Sequence, residues 1–285
     1  MTSICIILAF VAANDLKIMA SDVKTTFLHC RLQKDIYCKQ IPGYDSKQVL
    51  RLLVSLYGLC QSAFEFYNLV WKCFISLGMH RCEVDHAVFS STWAVPPHSS
   101  VPALPSGAPL FAIVPIHVDD GLIVCNSLPL YAWIIAELQK SLDIINMGPA
   151  SLYPGNHMSR DRTHRKLWLS QKSYCLDLLR TWNLSNCAPA FTLLSTKLYL
   201  LEPMPNALPD IKDDNVKPLY QKLVGSLIYL AICTRPDISY AAMALGQFNA
   251  NPTRAHLVAA KRVLRYLAGT VDLALKFNFN GWCRS

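Results

Sequence analysis

Two adjacent aspartates, Asp119 and Asp120, lie at the centre of an otherwise apolar segment, residues 111–126 (FAIVPIHVDDGLIVCN). Apolar runs on both sides of a short Asp- and Gly-containing turn predict a β-hairpin with both carboxylates at its tip. Like charges held this close raise each other's pKa unless a cation neutralises them. The pair is therefore either a solvated Asp-Asp-Gly turn or part of a site for a divalent metal ion.

A metal site of this kind needs a further carboxylate from a neighbouring element. Hard cations such as Mg²⁺ prefer carboxylate oxygens, and nucleotidyl transfer uses two such ions about 3.5–4 Å apart. Asp22 follows a short strand predicted at residues 16–19 and is the candidate third ligand. Spacing alone leaves Glu65, Asp85 and Asp143 open as alternatives.

The elements that would position these carboxylates are mixed α/β, followed by an all-helical last third. Apolar residues at helical spacing predict helices at residues 4–13, 62–77, 130–142, 171–182, 218–234, 236–248 and 253–267. A further short strand is predicted at residues 166–169, and residues 90–109, rich in Pro and Ser, predict a loop or insertion. Because proline removes a ladder N–H, Pro115 predicts a bulge in the first strand of the hairpin.

The composition is that of a folded protein with reduced thiols. Hydrophobic residues make up 52% and charged residues 16% of the 285 residues, which excludes a disordered chain. The 11 cysteines are an odd number with no Cys-x-x-Cys pair, so we expect an intracellular protein, cytoplasmic or nuclear and not secreted. The apolar run near the N-terminus is too short to span a bilayer, so no membrane partner is expected.

Positive charge is concentrated late in the chain. The formal net charge of +8 permits a polyanionic partner. In the helix predicted at residues 253–267, Arg254, Lys261, Arg262 and Arg265 fall largely on one side. This side is either a solvated basic face or a nucleic-acid contact made by Lys261, Arg262 and Arg265.

Five blocks of sequence follow one another in an order that points to a family. They are SDVKTTFL (21–28), DIYCKQIPGY (35–44), SLYGLCQS (55–62), HVDD (117–120), and a C-terminal group of LVGSLIYLA (223–231), TRPDISY (234–240) and KRVLRYLAGT (261–270). Together they resemble the reverse transcriptase, or RNA-directed DNA polymerase, of copia-type LTR retrotransposons. The resemblance spans nearly the whole chain.

The resemblance implies an α+β fold of the right-hand polymerase type. Its parts would be a palm that carries the carboxylate hairpin, a partial thumb and an all-helical C-terminal connection region. The expected division is a palm with partial fingers at residues 1–165, including an insertion loop at 90–109, a thumb-like segment and connector at 166–216, and the helical connection region at 217–285. An RNase H domain is expected to be absent.

The implied reaction is DNA synthesis on an RNA or DNA template. The 3′-hydroxyl of a primer attacks the α-phosphate of a deoxynucleoside triphosphate in this reaction. By position, Asp22, Asp119 and Asp120 are the implied catalytic residues and the ligands of two Mg²⁺ ions, with Mn²⁺ as an alternative. The partners would be a primed template and the deoxynucleotide, and the sequence indicates no oligomeric state.

Three further residues match positions near the nucleotide in the family. Phe27 falls where related enzymes carry an aromatic ring that collides with a ribose 2′-hydroxyl, although ordinary core packing is the alternative. Gln61 matches a position near the incoming nucleotide. His117 stands where the family has Tyr, and its imidazole can still stack or donate a hydrogen bond.

Several positions depart from the family pattern. Cys60 stands where the family usually has Lys, and Ala63 and Phe64 stand where it has Pro and Arg, so positive charge is lost. The fingers segment that precedes Asp22 in the family is expected to be missing. Two functions therefore stay open: a polymerase core derived from a retrotransposon, or a decayed or co-opted remnant that folds and at most binds nucleic acid.

Overall fold

The computed structural model describes residues 2–39, 43, 49–153, 155–194 and 216–278. These residues form two compact units, one built on Thr2–Pro154 and the other on Gly155–Phe277. Each unit has its own hydrophobic core. Residues 195–215, which include most of the predicted connector, lie outside the described part of the chain.

The first unit is a sheet with helices on both faces. Its helices are α1 (Thr2–Asn14), α2 (Ser62–Ser76) and α3 (Leu128–Leu138), and a 3₁₀ turn spans Thr26–His29. Its strands are β1 (Lys17–Val23), β2 (Arg31–Cys38), β3 (Leu50–Val54), β4 (His80–Arg81), β5 (Val88–Trp93), β6 (Leu110–His117), β7 (Asp120–Cys125), β8 (Ile144–Pro149) and β9 (Leu152–Tyr153). Six of them form one antiparallel sheet in the order β4-β5-β6-β7-β1-β8, and β2 pairs with β3.

Successive side chains of each strand point alternately to the two faces of the sheet, and different helices cover these faces. Ala112 and Val114 of β6 belong to a core that α2 and α3 complete, because successive side chains of a strand point to opposite sides. Phe111 points to the other side, where its ring contacts Phe10 of α1 at 5.7 Å between centroids. The sheet is therefore covered by α2 and α3 on one face and by α1 on the other.

The second unit is mainly helical. Its strands are β10 (Asn156–Asp161), β11 (Lys166–Ser170) and β12 (Leu275–Asn278), with β10 and β11 forming a hairpin. Its helices are α4 (Lys172–Thr181), α5 (Val216–Cys233), α6 (Ser239–Gly246) and α7 (Arg254–Gly269), with a 3₁₀ turn at Pro236–Ile238. Apolar residues at helical spacing on α4, α5, α6 and α7 form one buried cluster.

Two sets of polar contacts stabilise the starts of α6 and α7. At the start of α7, the Thr253 side chain accepts from the His256 backbone N–H, and the Thr253 backbone N–H donates to His256 Nδ1 at 2.8 Å. Before α6, the buried guanidinium of Arg235 donates to both carboxylate oxygens of Asp237 and to the backbone oxygen of Thr270. Both arrangements satisfy backbone or buried polar groups that would otherwise be costly to bury.

Most of the predicted helices are present, and β6 and β7 pair as antiparallel neighbours on either side of Val118 and Asp119. The prediction for residues 90–109 is wrong at its start, because Ser90 to Trp93 belong to β5 and pair with β6. Their Ser-rich composition hid a strand in which Ser91 and Trp93 are buried. The helix predicted at 236–248 is instead a 3₁₀ turn followed by the shorter α6.

Pro115 does not produce the predicted bulge. The pairing of β6 with β7 has the same register before and after it, from Ile113↔Val124 to Ile116↔Gly121. On the other edge of β6, Pro115 is the register partner of Val88 in an unshifted ladder. The missing N–H of Pro115 therefore interrupts the backbone pairing of β6 with β7 at this position. It does not move any side chain of β6 to the other face of the sheet.

The boundary between the units falls at Pro154–Gly155. A boundary at residues 165–166 would fall inside the turn of the β10–β11 hairpin.

Among the described residues, no helix has the length and apolar character needed to cross a membrane.

Candidate carboxylate site

The hairpin between β6 and β7 turns on two residues. His117 and Asp120 are register partners, so Val118 and Asp119 form the loop. Val118 has φ 57°, in the left-handed region that β-branched residues rarely adopt. The Asp-Gly pattern predicts that Gly121 lies in the turn. In the structure Gly121 instead lies in β7.

Three polar side chains form a row across the sheet at this end. His117 on β6 lies opposite Asp120 on β7, and Asp120 lies opposite Asp22 on β1. Directly opposed residues in an antiparallel pair have Cβ atoms about 4.5–5.5 Å apart. The backbone N–H of Val23 donates to the Asp119 carbonyl oxygen at 3.1 Å, which ties the turn to β1. The structure thus places Asp22, Asp119 and Asp120 at the same end of the sheet.

The charges of this row act on one another. Partial burial raises the pKa of Asp120, the carboxylates of Asp22 and Asp119 raise it further, and His117 opposes them. Like charges placed opposite each other in a sheet are destabilising unless something neutralises them.

The donor set fits a hard divalent cation, because carboxylate oxygens are the ligands such ions prefer. The structure does not, however, gather the side chains around one point. Within the described ranges, no three Asp, Glu, His or Cys side chains are close enough together to hold one metal ion. Simultaneous ligation by Asp22, Asp119 and Asp120 would therefore need side-chain rearrangement.

Beneath the carboxylates, β1 and β7 approach each other at two small residues. The buried Ser21 Oγ donates to the Gly121 carbonyl oxygen at 3.3 Å. A Cβ atom on Gly121 would lie 2.7 Å from that Oγ, which is closer than real Cβ contacts. Sequence reasoning missed this pair, although a glycine inside a strand pattern is a recognised sign of close backbone approach.

Phe27 lies on the 3₁₀ turn that follows β1. Its ring contacts Tyr57 at 4.8 Å and Phe66 of α2 at 6.1 Å between centroids. Phe27 is half-buried, so one part packs on the core while the other reaches the surface beside the exposed Tyr57. Gln61 is exposed at the N-cap position of α2. Tyr57 was not predicted, and its contact with Phe27 could not be read from sequence separation.

The alternative acids occupy other surroundings. Asp85 accepts hydrogen bonds from Ser3 Oγ and the Ala87 N–H, and the Ser3 bond is the main reason that its pKa is lowered. Asp143 is exposed, and its backbone oxygen accepts from the Lys24 N–H. Neither is among the charges that raise the pKa of Asp120.

Tyr153 is a further residue that sequence reasoning missed. Burial raises the pKa of its hydroxyl, and the negative charges of Asp120 and Asp85 raise it further. Its phenol is therefore held neutral near the carboxylate row.

Comparison with known proteins decides the family. The family described as reverse transcriptase (RNA-dependent DNA polymerase) matches residues 1–195. The chain belongs to this reverse transcriptase family. Its relatives among curated proteins place it with the copia-type retrotransposons.

These relatives of the reverse transcriptase chain are transposon proteins. The retrovirus-related Pol polyprotein from transposon TNT 1-94 of Nicotiana tabacum is 36% identical over 281 residues, which cover 97% of this chain and 20% of the relative. The corresponding polyprotein from transposon RE2 of Arabidopsis thaliana is 32% identical over 275 residues, covering 95% of this chain and 17% of the relative. A putative transposon Ty5-1 protein of Saccharomyces cerevisiae is 29% identical over 262 residues, covering 90% of this chain and 78% of the relative.

The chain thus spans about a fifth of the length of the two plant polyproteins. No solved structure matches it significantly.

In the second unit of this reverse transcriptase chain, three basic side chains of α7 have partners in the chain itself. Arg262 donates to the Thr192 hydroxyl at 2.7 Å, and Arg265 Nε donates to the Ala188 carbonyl oxygen at 2.9 Å. Lys261 lies over the ring of Trp182 at 5.7 Å. These contacts attach the segment before residue 195 to α7. A nucleic-acid role for the three residues stays a prediction.

Proposed function

We propose that this chain is the polymerase core of a copia-type reverse transcriptase, which extends a primer on an RNA or DNA template. The observation that carries the proposal is the placement of Asp22 opposite Asp120, with Asp119 in the turn between β6 and β7, in a chain of the reverse transcriptase family. In this proposal the first unit is the palm, and the second contains the thumb-like segment and the helical connection region.

Asp22, Asp119 and Asp120 would be the ligands of two Mg²⁺ ions, or Mn²⁺ in their place. When bound, the ions would favour the primer alkoxide and stabilise the charge that develops on the α-phosphate. Asp22 and Asp120 are held by opposed strands, so their separation is set by the sheet. Asp119 is fixed through its backbone bond to Val23. Rigid backbone support of this kind reduces the reorganisation needed during reaction.

Phe27 would exclude ribonucleotides in this proposal. Its half-exposed ring makes edge-to-face contacts with Phe66 and Tyr57, and these contacts would limit its rotation away from a 2′-hydroxyl. Gln61, exposed at the start of α2, would contact the nucleotide. His117, next to Asp120 in the row, would lie beside it.

Primer extension on an RNA template with Mg²⁺ tests the proposed function. We expect incorporation by the wild type, its loss in Asp22→Asn, Asp119→Asn and Asp120→Asn, and its retention in Asp143→Asn, a matched exposed carboxylate of the same unit. Phe27→Val should admit ribonucleotides while deoxynucleotide incorporation continues. Equal activity of the wild type and the three variants would contradict the proposal.

A second candidate, a remnant that folds and at most binds nucleic acid, is favoured by two observations. Among the described residues, the three carboxylates are not gathered around one point, and Lys261, Arg262 and Arg265 of α7 contact other residues of the chain. For the remnant we expect no incorporation by any variant. Binding of a primed template that weakens steeply with salt would then define its remaining activity.

A further inference from the structure

Helix α2 carries large apolar side chains on its solvent side as well as on its buried side. The outer stripe of α2 consists of Phe64, Asn68, Trp71 and Ile75. These positions have the spacing i, i+4, i+7 and i+11, which places them on one side of a helix. The exposed fractions of Phe64, Trp71 and Ile75 are 64%, 37% and 45%. Large apolar side chains that are exposed in one row indicate a surface for protein contact.

The ring of Trp71 is held in place within this stripe. The Arg81 guanidinium lies over the ring, 5.5 Å from its centre, and donates to the Tyr67 hydroxyl at 3.1 Å. The Tyr67 hydroxyl in turn donates to the His86 carbonyl oxygen at 2.9 Å. A ring that is already fixed loses little conformational freedom when a partner packs on it.

The outer stripe has the spacing of a coiled-coil seam, in which steps of four and three residues alternate. The stripe is also symmetric about its midpoint. In an antiparallel pair of α2 helices, Phe64 would therefore pack on Ile75 of the second copy, and Asn68 on its Trp71. The indole N–H donates and the Asn side-chain oxygen accepts, so the two polar groups of the seam can satisfy each other.

Two charges beside the outer stripe match the same antiparallel arrangement. Glu65 and Lys72 each follow a stripe residue by one position, so both lie on the same flank of α2. A twofold axis that makes two helices antiparallel brings the same flank of both copies together, whereas parallel helices bring opposite flanks together. Glu65 of one copy would then lie near Lys72 of the other, offset by about 3 Å along the helix. Charges that flank a seam determine partner and orientation.

We propose that the outer stripe of α2 is a self-association surface, through which two copies of this chain form an antiparallel, twofold-symmetric dimer. The contact covers only about three helical turns. Stable interfaces bury about 800 Å² on each partner, so a contact of this size predicts a weak, concentration-dependent dimer. The proposal does not rest on polymerase activity, since it concerns association of the chain alone.

Sedimentation equilibrium of the full chain, from about 1 μM to about 1 mM, tests the proposal. We expect a reversible equilibrium between monomer and dimer. Phe64→Ser and Ile75→Ser should each weaken dimerisation by about tenfold or more, because a twofold axis removes the apolar contact twice. Val84→Ser is the matched control, since Val84 is 96% exposed and lies outside α2, and it should associate as the wild type does.

A charge exchange tests the antiparallel orientation. Glu65→Lys and Lys72→Glu each place like charges opposite each other twice, so each variant alone should dimerise about tenfold more weakly. An equimolar mixture of the two variants should recover the association of the wild type, because every contact between the two chains is then one of opposite charges. Lys34→Glu, a charge reversal at an exposed residue of β2, should change neither result.

Three outcomes would overturn the proposal. A wild-type chain that stays monomeric up to about 1 mM would assign the outer stripe to a partner other than a second copy. A dimer that persists unchanged in Phe64→Ser and Ile75→Ser would lie on another surface. A mixture of Glu65→Lys and Lys72→Glu that associates no better than either variant alone would contradict the antiparallel pairing.

Discussion

Ser21 and Gly121 face each other across β1 and β7 so closely that a Cβ atom on Gly121 would lie 2.7 Å from the Ser21 Oγ. The contact lies one residue from Asp22 and one residue from Asp120, which are themselves opposed. The spacing of the two carboxylates therefore depends on a glycine and a serine that carry no charge.

Gly121→Ala should destabilise the first unit. The added methyl group meets the buried Ser21 hydroxyl, and overpacking of this kind costs about 1–3 kcal/mol of unfolding free energy. Ser21→Ala removes the obstructing oxygen, so the double variant Ser21→Ala with Gly121→Ala should recover most of the loss. Urea denaturation of the four proteins measures the coupling, and strictly additive effects would contradict the close approach.

The backbone conformation of Val118 predicts a substitution that stabilises the first unit, whereas Gly121→Ala destabilises it. Because a β-branched residue at φ 57° is strained, Val118→Gly should raise the unfolding free energy by about 1 kcal/mol. Val84→Gly is the matched control, since Val84 is 96% exposed and is not among the residues with positive φ. Chemical denaturation compares the two, and a destabilised Val118→Gly protein would show that the turn is not strained.

The Arg235–Asp237 pair should govern the acid stability of the second unit. Asp237 is partly exposed, but it is the only carboxylate bonded to the buried guanidinium of Arg235 among the described residues, so Asp237→Asn should lower the unfolding free energy by about 2 kcal/mol. Asp272→Asn breaks the exposed pair with Lys172 and should cost under about 1 kcal/mol.

The pH dependence of this pair has a definite sign. Burial would raise the pKa of Asp237, but hydrogen bonds and charge from Arg235 outweigh it and leave that pKa below its ordinary value of 3.8. A lowered folded-state pKa stabilises the fold above the unfolded-state pKa, and this stabilisation is lost as the pH falls through the folded value. Between pH 6 and about pH 2, the melting temperature should therefore fall less in Asp237→Asn than in the wild type. An identical loss in both proteins would be inconsistent with this assignment.

Local patterns were enough to predict most of the helices and the strands around Asp119 and Asp120. Spacing alone left Asp22 as one of several candidate third acids, and the family resemblance singled it out. The apolar runs around Asp119 and Asp120 predicted the hairpin, and α2 and α7 followed from helical spacing. Contacts across the sheet could not be predicted in the same way. The pairing of β1 with β7 joins residues about a hundred positions apart. The sequence around Ser21 therefore does not indicate that Gly121 will lie opposite it.

Two errors have related physical causes. Residues 90–93 looked like a loop because Ser and Pro dominate the segment, yet ladder pairing with β6 made them a strand. Pro115 was expected to distort β6, but the sheet kept its register around the missing N–H. In both cases tertiary pairing outweighed the local preference of the residues.

Binding of Mn²⁺ to the full chain, followed by electron paramagnetic resonance, tests most directly whether Asp22, Asp119 and Asp120 all take part in binding divalent cations. We expect Asp22→Asn, Asp119→Asn and Asp120→Asn each to weaken the binding of Mn²⁺ by about tenfold or more, since each replaces a charged carboxylate ligand by a neutral amide. Asp143→Asn should bind as the wild type does. Mn²⁺ affinity that is unchanged in Asp22→Asn would contradict a shared site of the three aspartates, because β1 would then contribute no ligand to it.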